Sequence, residues 1–174
     1  MSSPKQMMDF KPVKSVAANV SNEHQRNWSK EFFEQKAKNP DHNYDRSRTA
    51  LNFQVGPRGR ITEIDKSRRI GDKVNEIIKK HLRPNARVTA ISNRAVMVVF
   101  GGNRERMREM AFGSQVLNDY EETNGHLIRQ PEIEQWAKDV YGFVCREFGE
   151  ENIASFIVSI STKRDHMRIV CSCR

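Results

Sequence analysis

Long apolar runs are absent from this sequence of 174 residues. The longest uninterrupted one covers residues 95–100, whereas a helix that crosses a bilayer needs about 20 apolar residues. The N-terminus also lacks the basic and then apolar order of residues that marks a secretory signal. We therefore expect a cytoplasmic protein with no membrane segment.

Cysteine is scarce too, with only Cys145, Cys171 and Cys173 in the chain. Three thiols cannot all pair within one chain, and the final Cys-x-Cys has no second cysteine pair with which to complete a zinc site. We expect reduced thiols. This expectation argues against a disulfide-stapled secreted domain and against a structural zinc.

Positive charge, by contrast, is in excess, since 30 Lys and Arg residues face 22 Asp and Glu residues for a net charge of +8. A basic surface attracts polyanions, and nucleic acid is the leading candidate among them. The alternative is a protein-interaction module whose basic surface meets an acidic partner. The sequence does not indicate an oligomeric state.

The length fits one domain with a hydrophobic core. Residues 1–12 have no apolar period and are expected to form a flexible N-terminus, which leaves residues 13–174 as the domain. Helical spacing of apolar residues predicts helices at residues 21–39, 65–82, 103–116 and 131–148. β-rich runs predict strands at residues 49–55, 87–100, 153–161 and 166–173. The predicted fold class is α+β, an antiparallel sheet flanked by helices.

The last two predicted strands are expected to form a β-hairpin, with Lys163 and Arg164 as its two-residue turn. Because side chains alternate along a strand, Phe156, Val158 and Ile160 then face the core. The opposite face is mostly polar and carries Ser159, Ser161, His166 and Arg168.

Three blocks of this sequence resemble, in order and spacing, the Mob/Pre family of plasmid mobilisation and recombination proteins. The blocks are DRSRTALNF at residues 45–53, the helix at 69–80 with AISNRAV at 90–96, and FGEENI at 148–153 before the hairpin. The resemblance covers residues 14–170 and implies a relaxase domain with an HUH endonuclease-like fold. It also implies a transesterase that nicks single-stranded DNA at an origin of transfer, in plasmid mobilisation and conjugation.

The family's nucleophile is a histidine near the N-terminus, in a His-x-x-Arg motif. Here His24 and Arg26 are one residue too close to fill both positions. With Arg26 in register, Glu23 stands at the position of the nucleophile; with His24 in register, Asn27 stands at the position of the arginine. Tyr44 is a second candidate nucleophile, because related relaxases use a tyrosine.

The family's hairpin follows the pattern His-x-Asp-Glu-x-x-Pro-His-x-His, in which histidines hold a divalent metal. In this chain Ser159 stands at the first histidine, His166 at the second and Arg168 at the third. One imidazole and two weak hydroxyls cannot hold Mn²⁺ or Mg²⁺ firmly, and Arg168 adds a positive charge. The resemblance thus implies a divalent metal cofactor for which most ligands are absent, so catalysis stays open.

Basic side chains of these motifs, together with one asparagine, are the predicted contacts with DNA. They are Arg26, Arg46, Arg48, Asn52, Lys163, Arg164 and Arg168. Two DNA-based hypotheses follow, an active relaxase and a catalytically lapsed DNA-binding regulator of a mobile element. Family members continue into further strands and a long helical region, so this chain is expected to be truncated at its C-terminal end relative to them.

Overall fold

The β part of the fold consists of two antiparallel sheets. The computed structural model describes residues 7–39, 44–161 and, by backbone alone, 171–173. The strands within these ranges are β1 (Met7–Val13), β2 (Phe53–Gly56), β3 (Arg60–Thr62), β4 (Ala95–Gly101), β5 (Ile157–Val158) and β6 (Cys171–Cys173). In the first sheet β4 lies between β1 and β6, and in the second β2 lies between β3 and β5. The predicted α+β class with antiparallel pairing is confirmed.

Helices make up the larger share of the regular structure. Those in the described ranges are α1 (Ala18–His24), α2 (Lys30–Lys38), α3 (Ile70–His81), α4 (Arg104–Phe112) and α5 (Pro131–Phe148). The Ser29 hydroxyl caps α2 by accepting from the Phe32 amide at 3.2 Å, and α5 is followed by Gly149, whose φ is 81°. Within these ranges, no helix is both long and apolar enough to cross a bilayer.

The hydrophobic core has two clusters that meet at β5. The inward stripe of α5, with Ile133, Ala137 and Val144 fully buried, packs in the larger cluster, which also contains Val158. Ile157, the neighbouring residue in β5, joins α3 in the smaller cluster. Because successive side chains of a strand point to opposite faces, both faces of β5 are covered.

The helix predicted over residues 21–39 is interrupted, so that α1 and α2 are separate. Arg26 lies at the break and has a φ of 54°, in the left-handed region that residues other than glycine seldom adopt. The neighbouring Gln25 donates from its amide to the carbonyl oxygens of Asp65 at 2.6 Å and Arg68 at 2.8 Å. These contacts, distant in sequence, explain why a continuous helix was the wrong prediction.

The strand predicted over residues 49–55 begins later than expected. Its first half belongs to a 3₁₀ helix, Arg46–Leu51, and only Phe53–Gly56 form β2. Asp45 begins this helix, since its carboxylate accepts from the Ser47 amide at 3.0 Å. A side chain that caps a turn has therefore overridden the alternating pattern.

The predicted pairing of the last two strands stays a prediction, because the expected partners of residues 157–161 lie in the segment 166–170, outside the described residues. Val158 of β5 pairs with Phe53 of β2, whereas Cys171 of β6 pairs with Val98 of β4 in the other sheet. The predicted turn at Lys163 and Arg164, with the ladder beyond it, lies outside the described residues. Phe156, Val158 and Ile160 are buried as predicted, but so are Ser159 and Ser161 from the polar face.

The strand β1 covers residues for which the sequence predicts no regular element. It pairs with β4 from Met7 opposite Gly101 to Val13 opposite Ala95. Most of its side chains are exposed, so the backbone ladder rather than an apolar pattern holds this strand in place.

Candidate nucleic-acid interface

A cleft of about 350 Å³ lies where the junction of α1 and α2, the 3₁₀ helix before β2 and the segment after β3 meet. It is lined by Gln25, Arg26, Thr49, Ala50, Asn52, Glu63, Ile64 and Lys66. The sequence elements that form it are far apart in the chain, and two of the family-like motifs contribute to it.

Arg26 is one of the side chains that line this cleft. Its Nη2 donates to the hydroxyls of Ser159 at 3.0 Å and Ser161 at 3.5 Å, and its Nη1 donates to the backbone carbonyl of Glu23. Only 7% of the residue is exposed. These contacts join the end of α1 to the segment after β5 and fix the guanidinium.

Aromatic rings surround the same guanidinium. The Arg26 Cζ lies 4.3 Å from the centroid of the Tyr44 ring and 5.7 Å from that of the Trp28 ring. The two rings meet edge to face with their centroids 5.3 Å apart. Contact with ring faces stabilises a cation and restricts the plane of the guanidinium.

Tyr44 also makes a polar contact with the N-terminal motif. Its hydroxyl donates to Oε1 of Glu23 at 3.1 Å. The carboxylate thus lies close enough to accept the phenolic proton. Glu23, Tyr44 and Arg26 form one connected group, which we call the Arg26 cluster together with Trp28, Ser159 and Ser161.

Asn52 fixes the segment that carries the two serines. Its amide oxygen accepts from the backbone amides of Ile160 at 2.8 Å and Ser161 at 3.0 Å, while its Nδ2 donates to the Ser161 hydroxyl at 2.9 Å. The Asp45 amide donates to the Ser161 carbonyl at 2.7 Å. Asn52, predicted as a DNA contact, therefore lines the cleft and also orients one of the hydroxyls that hold Arg26.

Lys66 adds a second positive charge at the cleft. Its side chain is exposed and its Nζ lies 3.5 Å from the Arg26 carbonyl oxygen. The preceding Asp65 forms an ion pair with Lys73 at 2.7 Å. The hydrogen bond from Lys73, followed by those from Ser67, lowers the pKa of the Asp65 carboxyl well below its usual range. Asp65 therefore stays ionised beside the backbone carbonyl that anchors Gln25.

The two arginines of the DRSRTALNF block lie in different surroundings. Arg46 is partly exposed and pairs with Glu122 at 2.6 Å. Arg48 is 2% exposed, and its Nε lies 2.7 Å from Oδ2 of Asp45. Burial lowers the pKa of Arg48, and the charge of Asp45 opposes that shift. For both arginines, contact with DNA stays a prediction.

Of the remaining predicted site residues, one lies at the end of α1 and the others lie in the segment 162–170, which the structure does not describe. His24 is the last residue of α1 and is buried. Lys163, Arg164, His166 and Arg168 lie outside the described residues. Trp28 and Lys66 were not predicted as site residues: Trp28 fitted the apolar side of a helix and Lys66 a solvent-facing basic surface.

Among the residues that the structure describes, the donor set at the cleft does not fit a divalent metal. The residues that the structure describes contain no group of three or more His, Cys, Asp or Glu side chains able to hold a metal ion. At the position of the family's first histidine, the Ser159 hydroxyl instead contacts the Arg26 guanidinium. Neutral hydroxyls beside a fixed positive charge are poor ligands for Mn²⁺ or Mg²⁺.

Comparison with known proteins gives similarity of structure alone. No family model and no curated protein matches the sequence. Three Mn-bound crystal structures of the MobM relaxase domain (MOBV; Mob_Pre), bound to 22-nucleotide oriT DNA of plasmid pMV158, do match. Their TM-scores are 0.66, 0.66 and 0.68 at 12%, 10% and 9% identity, and each match covers 97% of this chain and 69% of the other. The chain therefore has the fold of these relaxase domains.

Proposed function

We propose that this protein binds single-stranded DNA through the sugar-phosphate backbone, with phosphates seated in the cleft at Arg26 and Lys66. The observation that carries the proposal is the fixed guanidinium of Arg26 at the cleft. Support also comes from the net charge of +8 and from the fold, which relaxase domains bound to oriT DNA share. Phosphate contacts supply most sequence-independent affinity for DNA.

The finer part of this proposal is that the DNA is the origin-of-transfer strand of a mobile element, processed in its mobilisation or recombination. The collinear blocks at residues 45–53, 69–96 and 148–153 support it, because they resemble those of plasmid mobilisation proteins. A catalytically lapsed regulator would bind the same strand without cutting it.

For cleavage, we propose Tyr44 as the nucleophile, with Glu23 as its base. The hydrogen bond between Tyr44 and Glu23 and the contact of the Tyr44 ring with Arg26 support this choice. As Tyr44 Oη attacks phosphorus, the Oη–P bond forms and the bond from phosphorus to a deoxyribose oxygen breaks. Glu23 accepts the phenolic proton and returns it to the leaving oxygen. His24 is the alternative nucleophile.

Salt-dependent binding of a labelled oligonucleotide tests the DNA-binding proposal. The dissociation constant should rise steeply with salt, because each neutralised phosphate releases counterions. Absence of single-strand binding at low salt would refute the proposal and favour the protein-interaction module.

A nicking assay with mass spectrometry tests the catalytic part. Wild type, Tyr44→Phe and His24→Ala are incubated with oriT-like single strands, with and without Mn²⁺. We expect a covalent adduct on Tyr44 that Tyr44→Phe abolishes, whereas Tyr120→Phe, at an exposed tyrosine outside the cleft, has no effect. Loss of the adduct only in His24→Ala would assign the nucleophile to His24, and absence of any adduct would support the lapsed regulator.

A further inference from the structure

We propose that a group of aromatic rings beside the cleft binds an unpaired base of the DNA strand, with Phe32 as the ring on which the base stacks. This inference rests on the proposed DNA binding and adds a base contact to the phosphate contacts at the cleft. The rings are those of Trp28, Phe32, Phe33 and Tyr44, which we call the aromatic cluster.

The first support is the continuity of the four rings. The centroid of the Trp28 ring lies 6.1 Å from that of Phe32, 5.6 Å from that of Phe33 and 5.3 Å from that of Tyr44. The rings of Phe33 and Tyr44 also contact each other, with centroids 6.4 Å apart. Tilted and edge-to-face pairs at such distances stabilise one another, so the cluster positions Phe32 before a ligand arrives.

The second support is the position of the cluster at the surface. Among the residues that the structure describes, the two hydrophobic core clusters contain none of these four rings. Phe32 lies on α2 and is 44% exposed. An exposed ring next to a site for the DNA backbone suits a base, because every base has a π face that can stack on it.

The third support is positive charge at the same rings. The Lys36 Nζ lies 5.5 Å from the centroid of the Phe32 ring and 5.1 Å from that of the Trp28 ring. The Trp28 ring also contacts the guanidinium of Arg26, which lines the cleft. The aromatic cluster therefore connects a cation of the cleft to a second cation on α2.

Phe32 and Lys36 together match the two parts of one nucleotide. They are four residues apart on a helix and therefore lie on the same face of it. A base can stack on the ring while the ammonium contacts the phosphate of the same nucleotide. An apolar protein segment in this place would cover the Lys36 charge without an acceptor, which is costly, so a nucleotide is the better match.

The test compares a fluorescent oligothymidylate with an abasic oligonucleotide of the same length and the same number of phosphates, by anisotropy at low salt. Wild type should bind the oligothymidylate about fivefold or more tightly, because stacking of one base contributes about that factor. Phe32→Leu keeps an apolar side chain but removes the ring, so it should lose this preference, whereas Phe32→Trp should keep it. Tyr120→Leu, at a tyrosine that is 94% exposed and outside the cleft, is the matched control and should also keep it.

Lys36→Gln tests the phosphate part of the inference. It should weaken binding of both oligonucleotides about threefold, since their phosphates are the same. Arg146→Gln removes a positive charge from an exposed site on α5 outside the cleft and should leave both affinities unchanged.

The comparison of the two oligonucleotides on wild type needs no variant, so it keeps the inference testable if a substitution on α2 disturbs the fold. Equal affinity of wild type for both, or a preference for bases that Phe32→Leu keeps, would overturn the inference. Either result would leave the proposed phosphate contacts intact and would favour packing or a protein contact as the role of the rings. Absence of binding to either oligonucleotide would overturn both proposals.

Discussion

Two buried arginines, Arg26 and Arg48, differ in their surroundings. Arg26 lines the cleft and contacts two aromatic rings, whereas Arg48 forms an ion pair. Arg48 lies against the carboxylate of Asp45, which also accepts from the Asn124 amide at 2.7 Å. Arg26 is held by hydroxyls and a carbonyl. Both are buried to a similar degree, so exposure alone does not distinguish them. Their positions do, because Arg26 lines the cleft and Arg48 does not.

A buried ion pair and a buried guanidinium at a cleft have different consequences. The pair at Arg48 satisfies its own charge and connects the 3₁₀ helix to residue 124, which is a structural role. Arg26 places a guanidinium at a cleft, which is where an anion could contact it. The comparison therefore separates an arginine with a structural role from one that we propose to bind DNA.

The largest effect is expected from Asp45→Ala. It leaves Arg48 buried without its carboxylate, and breaking a buried pair in this way costs about 3–5 kcal/mol of the free energy of unfolding. Chemical denaturation followed by circular dichroism measures this change. A loss under about 1 kcal/mol would contradict the structural role of the pair between Arg48 and Asp45.

The next effect concerns Arg26→Gln, which should lower DNA affinity about tenfold or more and change stability less than Asp45→Ala does. The reason is that Asp45→Ala leaves Arg48 buried without the carboxylate that lies 2.7 Å away, whereas Arg26→Gln keeps an amide that can donate to the Ser159 hydroxyl. Denaturation and anisotropy on the same samples separate the two effects. Equal losses of stability in both variants would contradict the distinction.

The sequence predicts the periodic parts of the fold and some of the site. The helix predicted at residues 131–148 is α5, because a proline, an apolar stripe and a glycine mark it locally. The break at Arg26 depends on hydrogen bonds from Gln25 to residues 65 and 68, which no local pattern encodes. The burial of Arg48 is also not encoded in a local pattern, since basic residues are expected at the surface.

The cleft itself was only partly predictable. Arg26 and Asn52 came from motifs that resemble those of a family, and both line it. Trp28 contacts Arg26 because the chain turns between α1 and α2, and Lys66 joins them because Gln25 anchors the segment after β3. These positions follow from tertiary contacts, so a search of the sequence alone could not assign them.

A smaller effect is expected from Lys66→Gln. Lys66 is exposed at the rim of the cleft, so its charge should contribute one phosphate contact. Its removal should weaken binding about threefold and lower the slope of log affinity against log salt by about one. The control is Lys80→Gln, at an exposed position of α3 that does not line the cleft. An unchanged salt slope would place the DNA elsewhere.

The smallest effect is expected from Asp65→Asn and depends on pH. Because Lys73 and Ser67 lower the pKa of Asp65 in the folded state, the charged carboxyl stabilises the fold above its unfolded pKa of about 4. That contribution is lost as the pH falls toward the lower folded pKa. Wild type should thus exceed Asp65→Asn in stability at pH 7, and the difference should shrink below about pH 4. A difference that does not shrink below about pH 4 would contradict this role of Asp65.

The most direct test of the central claim is the affinity of wild type, Arg26→Gln and Arg146→Gln for one single-stranded oligonucleotide, measured at low salt in EDTA. If the cleft at Arg26 binds the DNA backbone, the Arg26→Gln variant binds about tenfold more weakly than the other two proteins, which bind alike. Equal affinity of all three proteins would contradict the account.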